Sequence, residues 1–208
     1  MRRTIIAMVV AGLTAGLTAS PALAASRPHH RFSGADVTAA WQSKTRLSPG
    51  RFELTTWFVG VFTSSSGTAS QVVKEVAKCK VVSGHQRCRV VSYSAGLRRS
   101  LTAAQFTFDR KHLTAAHLDA TYKLRTFIPR KPARTFRVRI VANWSGTGKI
   151  SRNGGVDNFR SGCLRFHDTF HGRNRPATVT GSVNGKSLGS TKHAFLSTST
   201  DVTVEHRC

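Results

Sequence analysis

Acidic residues are scarce in this chain, and their scarcity narrows the chemistry that it can perform. Nine Asp and Glu stand against 32 Lys and Arg among 208 residues, and the formal net charge is +23. Most glycoside hydrolases use a pair of carboxyl groups that flank the scissile bond, and protein sites for Mg²⁺ use carboxylate ligands. Because these acids are few and isolated among cations, neither a glycosidase nor a Mg²⁺-dependent nuclease is favoured.

Recognisable catalytic motifs are also lacking. The sequence has no Gly-x-Ser-x-Gly elbow, no His-Glu-x-x-His, no phosphate-binding loop and no dinucleotide fingerprint. We therefore predict no cofactor, assign no catalytic residues and favour binding over catalysis. A small secreted hydrolase that uses His together with Lys or Arg stays open as an alternative.

Two segments carry side chains of the kind that bind metals, and neither spacing favours a site. His167 and His171 would share one face of a strand at a separation of about 13 Å, which is too far to bind one ion. Asp168 would point to the other face. The Gly-rich segment 151–158 is expected to be a loop, and it offers one carboxylate to Ca²⁺, which takes about six to eight oxygen ligands. We therefore predict no metal site.

Long apolar runs are confined to the amino terminus. Arg2 and Arg3 precede an apolar run over residues 5–17, and residues 22–24 (Ala-Leu-Ala) have the small-x-small pattern that signal peptidase reads. This pattern predicts a signal peptide over residues 1–24, too short to be a stable membrane anchor. The Ala-rich leader is typical of bacteria with GC-rich genomes. We expect a secreted, extracellular protein of 184 residues, with no stable membrane insertion after cleavage.

The four cysteines predict two disulfides, because an even number in an exported protein is typical of a disulfide framework. Three connectivities are open. Cys79 and Cys88 flank a short predicted hairpin, which favours bonding between them and leaves Cys163 to pair with Cys208. Loop-closure entropy gives stabilisation of about 2.7 kcal/mol for the short loop and about 4 kcal/mol for the long one.

Short alternating runs separated by turn residues indicate an all-β fold. Apolar residues at 136, 138, 140 and 142 alternate with more polar ones, and Asn184-Gly185 is a strong hairpin signal. Residues 71–76 could be helical. We predict a single antiparallel sandwich (or barrel-like) domain of about nine or ten strands over residues 36–208. Residues 25–35 are predicted to be a flexible basic tail.

The densest basic stretch runs from residue 125 to residue 139 and is the predicted anion-binding site. Two prolines stiffen its loop, and alternate positions on the following strand share one face. Phe127 is a candidate for stacking on a base or sugar ring. The competing interpretation is a solvated loop with Arg on an edge strand. The anion-binding candidates are Arg125, Arg130, Lys131, Arg134, Arg137 and Arg139.

Trp144 has two interpretations. It lies beside a Gly-rich turn, where an exposed indole can form a stacking platform for a sugar. It also continues the alternating apolar series 136–142, which places it in the core. The core position is favoured, and Trp144 is kept as a second stacking candidate.

The charge sets the functional hypothesis. Loss of the leader would leave a charge of about +21, which favours attraction to an anionic partner. The sequence predicts a secreted basic binding protein that associates electrostatically with anionic cell-surface polymer or nucleic acid. Basic genome composition is the competing explanation of the charge. Besides the hydrolase, a secreted inhibitor or toxin-type module with an unknown protein partner stays open.

Overall fold

The computed structural model describes residues 29–129, 131–161 and 164–207, and this part of the chain is all β. It contains eleven strands and no helix, so the predicted all-β class is confirmed. None of these residues forms a helix that is long and apolar enough to cross a membrane. The strands are β1 (His29–Ser48), β2 (Arg51–Ser64), β3 (Gly67–Val82), β4 (His85–Arg98), β5 (Phe106–Phe108), β6 (Ala115–Phe127), β7 (Arg134–Gly146), β8 (Ser151–Ser161), β9 (Leu164–Val183), β10 (Lys186–Thr191) and β11 (Ala194–Arg207).

The strands form one antiparallel sheet instead of the two sheets of a sandwich. Neighbours pair in the order β1, β2, β3, β4, β6, β7, β9 and β11, and β11 pairs back with β1. The sheet therefore closes on itself through eight strands, as in the barrel-like alternative of the prediction. Within the closed sheet, the shortest strand pairing is between β4 and β6, which share three register pairs. Strands β5, β8 and β10 pair at its margins.

The core lies inside the closed sheet, and the alternating sequence pattern places it there. Successive side chains of a strand point to opposite faces, so one face of β6 and β7 is buried while the other is exposed. The Tyr122 hydroxyl lies 2.7 Å from the Ser70 hydroxyl within this core, and burial raises the pKa of Tyr122. A smaller apolar cluster on the other face of β2 contains Phe52, Leu54, Ala77 and Cys79.

Three local expectations are corrected by the strand pairing. Residues 29–35, predicted as tail, lie in β1 and pair with residues 198–204 of β11. Residues 71–76 lie in β3, and the expected loop 151–158 lies in β8. In each case backbone hydrogen bonds to a neighbouring strand hold the segment, and such bonds need no apolar periodicity in the sequence.

Tight turns confirm the two hairpins that the sequence predicts. Ser83 and Gly84 have φ values of 51° and 76°, and Asn184 and Gly185 have 50° and 79°, as two-residue type I′ turns require. Cys79 is the register partner of Cys88, and the two form a disulfide, which is compatible with an extracellular location. The predicted Cys163–Cys208 bond lies outside the described residues.

Asp109 stabilises the turn that places Leu113 in the core. Its carboxylate accepts hydrogen bonds from the backbone N–H groups of Lys111 and His112 at 3.1 and 3.0 Å and from the Thr114 hydroxyl. These bonds lower the pKa of Asp109 to about 2, chiefly through Thr114. Leu113 has a φ of 53° and is fully buried, so the turn holds an unfavourable backbone conformation in exchange for apolar packing.

The Asp109 carboxylate is expected to make stability depend on pH below about 4. Because its folded pKa lies below the unfolded value of 3.8, its contribution is present above that pH and is lost as the pH falls towards 2. Asp109→Asn is expected to lower the urea midpoint at pH 7 and to match wild type near pH 2. Urea titrations from pH 7 to pH 2 check this, and a difference that stays constant with pH would contradict it.

Candidate anion-binding end of the sheet

The antiparallel topology brings three turns, whose adjoining strand ends are basic, to one end of the closed sheet. These are the turn at residues 49–50, the turn at residues 83–84 and the connection between β6 and β7. We call residues 44–55, 74–93 and 123–137 the basic end. Its described residues include 13 Lys and Arg but two carboxylates, Glu53 and Glu75. The other 130 described residues contain 15 Lys and Arg and seven carboxylates, so the cations are concentrated at the basic end.

A row of three cations crosses the basic end. Lys80 on β3 is the register partner of both Arg51 on β2 and Arg87 on β4, and all three are exposed. Like charges directly opposite each other on neighbouring strands are destabilising. The next row is mixed, because Lys78 pairs with Glu53 on one side and Arg89 on the other. The sheet therefore tolerates a repulsive arrangement at this end.

A second group of cations lies on the outer face of β6 and β7. Lys123 is the register partner of Arg137, and Arg125 lies two residues further along β6 on the same face. All three are exposed, and within the described part of the chain none of them forms an ion pair with a carboxylate. The Arg125 guanidinium lies over the Phe127 ring, 5.2 Å from its centroid.

Two aromatic rings continue this outer face. Tyr93 on β4 is the register partner of Phe127 on β6, and their exposed fractions are 38 % and 48 %. We call Tyr93, Lys123, Arg125, Phe127 and Arg137 the outer strip. The aromatic part of the outer strip borders a shallow apolar groove, whose lining residues are Val90, Val91, Ser92, Tyr93, Phe127, Ile128 and Pro129.

Arg139 differs from the other predicted anion-binding residues because it already has an acidic partner. Its guanidinium donates two hydrogen bonds to the Asp119 carboxylate, at 2.8 and 2.5 Å. These bonds lower the pKa of Asp119 and raise that of Arg139. Arg139 is therefore less available for an external anion than Arg125 or Arg137.

The remaining predicted cations are placed differently from one another. Arg134 begins β7 opposite Thr126, so it lies on the opposite face from Arg137. Lys131 is exposed in the connecting loop, where its backbone N–H donates to the Ile128 carbonyl at 3.1 Å. Arg130 lies outside the described residues. The structure thus brings Arg125 and Arg137 together in the outer strip but does not join the five described candidates in one site.

Trp144 is a core residue, and its place among the stacking candidates was wrong. Its side chain is 2 % exposed, and its indole N–H donates to the Thr38 carbonyl at 2.8 Å. The apolar alternation along β7 directs it inward, as the favoured interpretation expected. A buried ring of this kind cannot stack on a ligand at the protein surface.

Two of the side chains weighed as metal ligands, His167 and Asp168, have protein partners. His167 Nδ1 lies 2.7 Å from the Asn158 side-chain oxygen, and Asp168 accepts a hydrogen bond from the Thr203 hydroxyl at 3.0 Å. Over residues 29–129, 131–161 and 164–207, no group of three His, Cys, Asp or Glu has a geometry that could hold a metal ion.

Sequence reasoning missed Lys123, Tyr93 and the Arg51–Lys80–Arg87 row. Lys123 could have been found, because it alternates with the apolar residues of β6 and would face a partner in a β6–β7 hairpin. The Lys80–Arg87 pair could also have been found, because both residues adjoin the cysteines of the predicted β3–β4 hairpin. Arg51 joins them through the pairing of β2 with β3. Tyr93 meets Phe127 only through the pairing of β4 with β6, which no short-range signal predicts.

Comparisons with known proteins identify no relative of the chain. No family model, curated protein or solved structure matches the chain. The candidate site therefore rests on the charge, register and exposure of the residues described above.

Proposed function

We propose that this protein is a secreted binding protein that holds anionic polymer, either cell-surface polymer or nucleic acid, at its basic end. The observation that carries the proposal is the Arg51–Lys80–Arg87 row, in which like charges lie directly opposite each other on three strands. Such an arrangement costs folding free energy, and a bound polyanion would remove the repulsion. A charge that arose from genome composition alone would not need to concentrate at one end of the sheet.

The physical basis of binding would be the release of counterions. A Lys or Arg that neutralises a polymer phosphate frees a condensed cation, so the logarithm of the binding constant falls linearly with the logarithm of the salt concentration. Carboxylate groups of acidic polysaccharide would interact in the same manner, with a weaker dependence where their linear charge density is lower. Association would be rapid at low salt because the field of the basic end attracts the polymer.

A binding panel tests this proposal. The purified protein is titrated into fluorescently labelled polyphosphate, duplex DNA and neutral dextran at about 50 mM and about 1 M NaCl. We expect binding to the two polyanions at low salt, its loss at high salt by a factor of at least about 10³, and no binding to dextran. Absence of binding at low salt, or binding to a polyanion that does not change with salt, would contradict the proposal.

A further inference from the structure

The aromatic half of the outer strip favours a ligand that carries flat apolar groups in addition to charge. Tyr93 and Phe127 are directly opposite each other on neighbouring strands, and both rings are more than one third exposed. A polymer of phosphate or carboxylate groups alone would leave these rings and the groove beside them in water. A polymer that also carries flat apolar groups could cover them.

The cationic half of the outer strip lies on the same face of β6. Lys123, Arg125 and Phe127 occupy alternate positions, so neighbouring side chains of this series are about 7 Å apart along the strand. Arg137 lies across from Lys123 on β7. A chain that runs along β6 would thus meet cations first and aromatic rings next. Arg125, stacked over Phe127, adds a flat cationic surface that a base can also stack on.

Single-stranded nucleic acid has both of the required features. Its phosphates match the cations, and its unpaired bases can stack on aromatic rings. A duplex keeps its bases stacked within the helix, while wall polymers and acidic polysaccharides offer sugar rings and no aromatic bases. One carboxylate adjoins the rings, because Glu75 on β3 is the register partner of Tyr93, and it would repel a passing phosphate.

We propose that the outer strip binds single-stranded nucleic acid, with bases stacked on Tyr93 and Phe127 and phosphates held by Lys123, Arg125 and Arg137. This inference rests on the proposed function, since it narrows the class of polyanion that the basic end accepts. Stacking of this kind is tolerant of sequence, so discrimination is between single strands and duplexes and not among base sequences.

The test compares three labelled probes of equal length, namely oligothymidylate, an abasic deoxyribose-phosphate chain and a DNA duplex, together with vesicles containing anionic lipid. The variant Tyr93→Leu/Phe127→Leu keeps the charge and removes the rings. We expect it to bind oligothymidylate at least about tenfold more weakly, from a stacking contribution of about 1–3 kcal/mol per base. Its affinity for the abasic chain should be unchanged. Glu75→Gln should bind oligothymidylate more tightly than wild type.

Phe170→Leu/Phe195→Leu is the matched control, because these rings are similarly exposed, at 38 % and 41 %, but lie outside the outer strip. It should bind like wild type. An equal loss on the abasic chain, or no loss on oligothymidylate, would overturn the inference while leaving the proposed function intact. Loss of vesicle binding alone would assign the rings to a lipid surface and would also overturn it. Failure of every polyanion to bind wild type would instead contradict the proposed function.

Discussion

Arg51→Gln/Lys80→Gln/Arg87→Gln is expected to make the protein more stable and a weaker binder of polyanions. The three side chains lie in one row across β2, β3 and β4, and each of the two like-charge pairs costs between about 0.2 and 1 kcal/mol. Their removal should raise the urea midpoint. The slope of log K for duplex DNA against log salt should become shallower by about 0.9 for each phosphate that the variant no longer neutralises.

The opposite signs of these two effects make the prediction specific. A matched control, Arg99→Gln/Arg110→Gln/Lys149→Gln, removes the same charge from exposed positions outside the basic end. It should change the urea midpoint and the salt slope much less. If both triple variants weaken binding equally, the net charge and not the basic end is responsible. If the row variant is less stable than wild type, the row is not repulsive.

Trp144→Ala is expected to cause the largest loss of stability of the changes discussed. The indole is 2 % exposed inside the closed sheet and donates a hydrogen bond to Thr38. Truncation of a buried Trp costs about 3–5 kcal/mol through poorer packing and the cavity that remains. Urea unfolding measures this loss. Trp144→Phe, which keeps most of the packing but removes the indole N–H, should cost about 1–3 kcal/mol.

A binding measurement distinguishes a packing role of Trp144 from direct contact between Trp144 and the ligand. Where Trp144→Phe remains folded, its affinity for polyphosphate should equal that of wild type, because the ring does not reach the surface. Phe170→Ala, a truncation of an aromatic residue that is 38 % exposed, should cost less stability than Trp144→Ala because it removes less buried apolar surface. A folded Trp144→Phe protein of unchanged stability that has lost binding would restore Trp144 as a stacking residue.

The parts of the fold that the sequence predicts correctly are those with local signals. The alternation along β6 and β7 predicts their buried faces, Asn184-Gly185 predicts the β9–β10 turn, and the spacing of Cys79 and Cys88 predicts their disulfide. Each of these depends on neighbours in the chain. Long-range pairing has no such signal, so the closure of the sheet between β4 and β6 could not be derived.

The residues of the candidate site also divide into those with local sequence signals and those that depend on long-range strand pairing. Arg125, Phe127 and Arg137 could be predicted because they belong to one basic stretch of sequence. Their neighbour Tyr93 belongs to a strand that reaches β6 only through three register pairs. The ion pair of Arg139 with Asp119 could not be read from composition, because its geometry depends on the register of β6 and β7. Strand register thus decides which of the cations are available to a ligand.

Lysine acetylation with and without polyphosphate tests most directly whether the basic end is the binding surface. An amine-reactive acetylating reagent is applied briefly, and mass spectrometry measures the modification of each lysine. The basic end presents the exposed Lys78, Lys80 and Lys123, and the exposed Lys111 and Lys149 lie outside it. We predict that polyphosphate protects the first three lysines severalfold and leaves the other two reactive. Equal protection of all five, or protection of none at a concentration that saturates binding, would contradict a binding surface at this end.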